Sequence, residues 1–194
     1  MLPLACSGCF CFPLMVGLGG PDLDETPVGT AGERHMAVGF GTLHNAADWQ
    51  PADRMTYASL DGDAWIQDTP LWFTSWYSAS YDTETPAQSG ASHGSTSFQD
   101  LGFGVRHYTT LWRLEPFVGA GVVVGDRTFT APSGNRDYQY LTGVYGEVGI
   151  YAVLHPNFAL GVTARGELAD DFGLYGKVYS GESYGVQLQL VYRR

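Results

Sequence analysis

The sequence predicts an all-β protein, a closed antiparallel up-and-down transmembrane β-barrel of about eight strands. Three observations point there. Glycine accounts for 26 of 194 residues, against an ordinary share of about 7%, while aromatic residues make up 14% and charged residues only 15%. Long runs alternate between purely apolar and mixed residues. No stretch has the makeup of a transmembrane helix: the best candidate, Leu2 to Gly20, is uncharged but broken by Pro3, Gly8, Pro13, Gly17, Gly19 and Gly20. A chain that crosses lipid without such a helix has to close its sheet, because an open edge leaves backbone groups unpaired in hydrocarbon.

Residues 1–35 stand apart as an export and tether segment, largely unstructured, and residues 36–194 form the expected barrel. The segment begins apolar and cysteine-containing and turns Gly/Pro/Asp-rich through Pro21-Asp22-Leu23-Asp24-Glu25-Thr26-Pro27. No Lys or Arg precedes Arg34, so the positive part of a secretory signal is missing: either it lies upstream of Met1 or the segment is a degenerate signal or lead-in. Leu4-Ala5-Cys6-Ser7-Gly8-Cys9 resembles the end of a bacterial lipoprotein signal, which makes Cys6 and Cys9 the candidates for lipidation. Cys6, Cys9 and Cys11 are the chain's three cysteines. They do not read as a zinc site, which needs a fourth ligand and a longer return spacing.

Strands are expected near 36–44, 54–60, 71–82, 97–109, 114–130, 138–154, 158–169 and 182–193. The first alternates Met36, Val38, Phe40 and Thr42 with Ala37, Gly39 and Gly41. The second, Arg54 to Leu60, is the weakest, because Asp61-Gly62-Asp63 follows at once and reads as its end. The third is rich in aromatics (Trp72, Phe73, Trp76, Tyr77, Tyr81), with its outward face left open. In the fourth, Leu101, Phe103, Val105 and His107 face outward. The short link at Leu111-Trp112-Arg113 joins it to a fifth, in which Leu114, Pro116, Val118, Ala120, Val122 and Val124 alternate with Glu115, Phe117 and glycines.

The sixth and seventh strands carry the strongest signal. Val144, Gly146, Val148, Ile150, Ala152 and Leu154 alternate with Tyr145, Glu147, Gly149, Tyr151 and Val153. After His155-Pro156-Asn157, Phe158, Leu160, Val162, Ala164, Gly166 and Leu168 alternate with Ala159, Gly161, Thr163, Arg165 and Glu167. Each run is long enough to cross a bilayer as a tilted strand, lipid-facing on one side and lumen-facing on the other. A three-residue loop would pair Leu154 with Phe158 and Ile150 with Val162 outside, and Glu147 with Arg165 inside; a one-residue slip would separate the two charges. With Arg106 and Glu167 as neighbours, these form an expected interior polar network of Arg106, Glu147, Arg165 and Glu167. The last strand places Tyr184, Val186, Leu188, Leu190 and Tyr192 outward. Links after the third, fifth and seventh strands read as long and polar and those after the fourth and sixth as short, so both chain ends fall on the short-turn side. The link at Asp61–Pro70 is longer than this pattern wants.

Leu114-Glu115-Pro116-Phe117-Val118-Gly119-Ala120-Gly121-Val122 and Leu154-His155-Pro156-Asn157-Phe158-Ala159-Leu160 resemble motifs of the small outer-membrane β-barrel domains of the OmpA/opacity type. The resemblance covers about 97–194. It implies a bacterial outer-membrane location, contact with outer-membrane lipid, insertion by the barrel-assembly machinery and a structural or surface-interaction role. Such domains usually end on an aromatic residue, whereas here Tyr192 is followed by Arg193 and Arg194.

Other function classes find little support. A net charge of −10 disfavours nucleic acid, whose binding rests on Lys and Arg neutralising phosphates. Many acids (Asp48, Asp53, Asp82, Glu84, Asp170, Asp171, Glu182) fall in expected loops. The alternative is a lipid-modifying enzyme with a histidine at the rim, and His44, His93 and His107 are its candidates. His107 faces outward, however, and His93 lies in a Gly/Ser-rich loop that would not hold a catalytic geometry. Gly102-Phe103-Gly104 and Gly17-Leu18-Gly19-Gly20 are not phosphate loops, and no cofactor motif is present. The pairs Asp61/Asp63 and Asp170/Asp171 offer at most weak calcium ligation. The expected inward set (Arg106, Phe117, Tyr145, Glu147, Tyr151, Arg165, Glu167, Gln187 and Gln189) would fill an eight-stranded lumen.

Overall fold

Strict alternation commits each strand to two walls, and the walls differ in chemistry. A computed structural model describes residues 33–45, 54–85, 94–130, 133–174 and 177–194. Among these, eight strands form one closed barrel: β1 (Arg34–Asn45), β2 (Arg54–Trp65), β3 (Leu71–Thr85), β4 (Gly94–Tyr108), β5 (Leu114–Thr130), β6 (Arg136–His155), β7 (Phe158–Leu174) and β8 (Lys177–Arg193). Each strand pairs antiparallel with the next, and β8 returns to β1. Closure leaves no edge to be satisfied. The seam is tied at its end by Arg34 N–H to Arg194 C=O at 2.9 Å and the reciprocal bond at 3.0 Å.

Every strand presents large apolar residues outward, from Met36, Val38 and Phe40 on β1 to Tyr184, Val186, Leu188, Leu190 and Tyr192 on β8. Val148, Ile150, Leu160 and Val162 belong to the same belt. A soluble protein rarely exposes so continuous an apolar surface. On β3 Leu71, Phe73, Tyr77 and Tyr81 face outward, which resolves the face that the sequence left open.

Inside, three layers are stacked. At the end away from the chain termini Leu43, Met55, Tyr57, Phe98, Phe129 and Leu141 cluster. A band of charged and amide side chains follows. Nearest the termini lies an aromatic layer of Trp72, Tyr108, Phe117 and Tyr151 with Ala37, Ala159 and Val191. Large inward residues are accommodated by glycines on the neighbouring strand. Trp76 is registered with Gly102 and Tyr151 with Gly161, and a Cβ at either glycine would overlap the facing ring.

The structure corrects several sequence-based expectations. β2 does not stop at Leu60 but runs to Trp65, because Asp61 and Asp63 continue the inward alternation instead of making a turn. The β2–β3 link is therefore short, closed by Asp68 in the left-handed region at φ 63°, a conformation Asp tolerates better than most residues. Thr69 N–H bonds Ile66 C=O there at 3.2 Å, and the Trp65 indole N–H bonds Thr69 C=O at 2.9 Å. In the β6–β7 hairpin His155, not Leu154, opposes Phe158, leaving Leu154 as an extra residue in the register. The pairing from Val153↔Ala159 inward is as the alternation predicts, Glu147↔Arg165 included. β7 and β8 continue past 169 and start before 182, so most of the expected loop is a strand pair with a register shift between Ala169 and Phe172. Asp170 and Glu182 accordingly lie on strands as exposed outward residues, not in loops.

Candidate functional site

The charged band at mid-barrel is assembled from four strands. β2 supplies Asp61 and Asp63, β4 Arg106, β6 Glu147 and β7 Arg165, and all five are at least nine-tenths buried. Glu147 and Arg165 meet because they are direct cross-strand partners. Arg106 and Glu147 are two strands apart, with Gly119 of β5 between them in the same rung. Because Gly119 carries no side chain, the two can join across it; a Cβ there would lie 2.8 Å from Glu147 Oε1 and 2.9 Å from Arg106 Cγ.

Arg106 is the hub. Its Nε and Nη2 donate to the two oxygens of Glu147, the latter at 2.9 Å, and its Nη1 donates to Asp63 Oδ2 at 2.8 Å and Oδ1 at 3.1 Å. Arg165 Nη2 donates to Glu147 Oε2 at 2.9 Å and Nε to the same oxygen at 3.2 Å. Both guanidinium groups approach Asp61 Oδ2 at 3.4 Å. Planar guanidinium forks suit such bidentate bonding. Neutral donors complete the shell: Tyr108 donates to Asp63, and Gln189 Nε2 to Asp61. Tyr151 and Thr163 hydroxyls donate to Gln189 Oε1 at 3.1 and 2.6 Å. Each guanidinium also lies over a ring, Arg165 at 3.8 Å from the Trp76 centroid and Arg106 at 4.8 Å from that of Phe117.

Of the four residues expected to form the interior network, Arg106, Glu147 and Arg165 are in direct contact. Glu167 faces the same lumen but accepts from the Ser183 hydroxyl at 3.3 Å. A separate pair, Arg127 and Asp100, lies on β5 and β4, with the Arg127 guanidinium 4.3 Å from the Phe98 ring centroid. Sequence reasoning missed Asp61 and Asp63, taking them for a turn and a weak calcium pair. In the structure their carboxylates meet guanidinium groups. The available signal was period-two continuity with Met55, Tyr57 and Ser59, all inward. Arg193, read as a departure from an aromatic end, faces inward at the barrel mouth, its Nη2 3.0 Å from Glu115 Oε1 and 3.3 Å from Glu33 Oε1.

Cys6, Cys9, Asp48, Asp53 and His93 lie outside the described residues. His44 stacks on Tyr184 on the outer wall, centroids 4.9 Å apart, and His107 Nδ1 lies 3.0 Å from the Pro70 carbonyl at the terminal end. Among the described residues, neither ring is hydrogen-bonded to a hydroxyl or a carboxylate. Among the described residues no group of three or more His, Cys, Asp or Glu is arranged to hold a metal ion.

No protein-family model matches this sequence, and no curated protein matches it. Solved structures do match. Neisserial surface protein A superposes with a TM-score of 0.62 at 12% identity, over 82% of this chain and 95% of that one. OprG of Pseudomonas aeruginosa gives 0.59 at 15% identity, over 84% and 96%. Ail of Yersinia pestis, solved with the heparin analogue sucrose octasulfate, gives 0.57 at 12% identity, over 85% and 100%. The likeness is one of fold: the chain adopts the architecture of the small eight-stranded outer-membrane barrels of the OmpA/opacity type.

Proposed function

We propose that this protein spans a bacterial outer membrane as a non-enzymatic barrel whose lumen is closed to solutes and whose role is structural or one of surface interaction. The observation that carries the reading is the inversion of its two walls. The outside is an apolar belt, and the inside holds paired charges, the reverse of a soluble barrel that binds an apolar ligand. The terminal end, with its short turns, faces the periplasm, and the opposite end faces outward.

Closure of the lumen rests on the three stacked layers. Trp72, Trp76, Arg106, Tyr151, Phe98 and Met55 are each no more than 2% exposed, as expected of an eight-stranded barrel filled by its own side chains. The non-enzymatic reading draws on two of the three candidate histidines: among the described residues, neither His44 nor His107 is held against a group it would activate. An excess of 20 acidic over 10 basic residues disfavours a sulfated polyanion of the kind bound to Ail. Biogenesis runs through the barrel-assembly machinery, with Tyr192 outward beside Phe158 at the strand end, centroids 5.5 Å apart. The residues before the barrel serve export and tethering, with Cys6 or Cys9 as the lipidation site.

Cell fractionation combined with a heat-modifiability gel tests the location. The protein should be found in the outer membrane and migrate differently before and after boiling. Planar-bilayer recording tests the lumen. Stable open-channel conductance of the porin kind would overturn the closed reading.

A further inference from the structure

The outer wall of β1–β4, toward the end away from the termini, carries a groove of about 510 Å³. Its floor is a pair of neighbouring alanines, Ala58 on β2 and Ala79 on β3, in one rung between Phe40 on β1 and Gln99 on β4. Rings rise on both sides along the strands, with Tyr81 opposite Thr56 in the rung beyond and Tyr77 opposite Leu60 in the rung before. Two small residues side by side, enclosed by three rings, leave a trough about two strand spacings, or ~10 Å, across, wide enough for a hydrocarbon chain. The Tyr77 hydroxyl donates to Gln99 Oε1 at 2.9 Å, so the polar atoms at that edge satisfy each other.

Among the described side chains, the charge around the groove is one-sided. Arg54, exposed, lies on the same face of β2 two residues beyond Thr56, registered with His44 on β1. Among the described residues, the outward positions of β1 and β2 hold no carboxylate. The corresponding region of β5–β8 presents Asp126, Asp170 and Glu182 along with Arg136. In a chain of net charge −10, a cation above an apolar trough is the complement of an anionic amphiphile.

We propose that this groove seats one acyl chain of a phosphorylated, acylated glycolipid of the outer leaflet, with its phosphate held by Arg54. The inference rests on the membrane-spanning reading, which places the groove at outer-leaflet depth. The full chain, folded in zwitterionic detergent, is titrated with diphosphorylated lipid A and followed by native mass spectrometry. A one-to-one adduct is expected with lipid A and none with inorganic phosphate. Filling the trough with Ala58→Phe and Ala79→Phe should weaken binding about tenfold, the equivalent of losing contact with about two methylenes. Arg54→Glu should weaken it similarly, whereas Ala164→Phe, outward on β7, should leave it unchanged. Absence of the wild-type adduct, undiminished binding by the groove variants, or equal affinity for phosphatidylglycerol would each overturn the proposal. The same preparations are tested for insertion into vesicles. Protein that stays out of the bilayer ends the membrane reading and this inference with it; a barrel that inserts but binds lipid A indifferently to these changes ends this inference alone.

Discussion

The β2–β3 and β6–β7 hairpins face the same lumen and contribute to the same charged band, yet they look unalike in sequence. Over 144–168, β6–β7 alternates cleanly, with an outer set wholly of apolar residues and glycine and Glu147 opposite Arg165. β2–β3 carries Asp61-Gly62-Asp63 near a chain reversal, with Ser75 outward and Thr74, Ser78 and Ser80 inward. Polarity alone therefore does not end a strand in a barrel of this kind. Where the lumen is polar, Asp-Gly-Asp continues a period-two pattern whose outward residue happens to be glycine. Gly62 has no positive φ, and a Cβ there would meet nothing closer than 3.7 Å.

The comparison is most severely tested at the residue that joins the two hairpins. Arg106→Met removes the guanidinium shared by Asp63 of β2 and Glu147 of β6, leaving buried carboxylates short of a partner. It should destabilise the barrel by about 3–5 kcal/mol in urea unfolding followed by tryptophan fluorescence. Near-neutrality would mean that the band is solvated and the hairpins are independent.

Next in size is the outer wall. Leu60→Arg on β2 and Ile150→Arg on β6 should each cost about 2–4 kcal/mol if both hairpins meet the bilayer core. A cost at 150 with tolerance at 60 would restore a real difference between the hairpins and place β2 outside the membrane.

Within the better-read hairpin, Arg165→Met should cost about 1–3 kcal/mol, because Arg106 still partners Glu147. Combining it with Glu147→Gln should cost less than the two single changes added together. An additive double-mutant cycle would remove the pair from the account and leave the fold untouched.

The smallest effect is the most specific to β2. Gly62→Ala should change stability by less than about 1 kcal/mol, since a strand glycine gains from a Cβ where space is open. A larger loss would indicate a turn conformation at Asp61-Gly62-Asp63.

Read without its fold, the chain carries the information of a two-residue period. The closed all-β class, the lipid-facing sets of β1, β4–β8, and the Glu147–Arg165 register follow from alternation together with one turn, because a slip of one residue would exchange the walls. The same information places Arg106 on the inner wall, but it says nothing about which residue Arg106 meets. That depends on closure. Asp63 and Arg106 come from strands two apart, and Arg106 reaches Glu147 only because Gly119 stands bare between them. Glu167, one inward position beyond Arg165 on β7, joins Ser183 and not the hub. The curvature of the wall decides which side chains converge across the lumen, and curvature is a property of eight strands together that no single strand encodes.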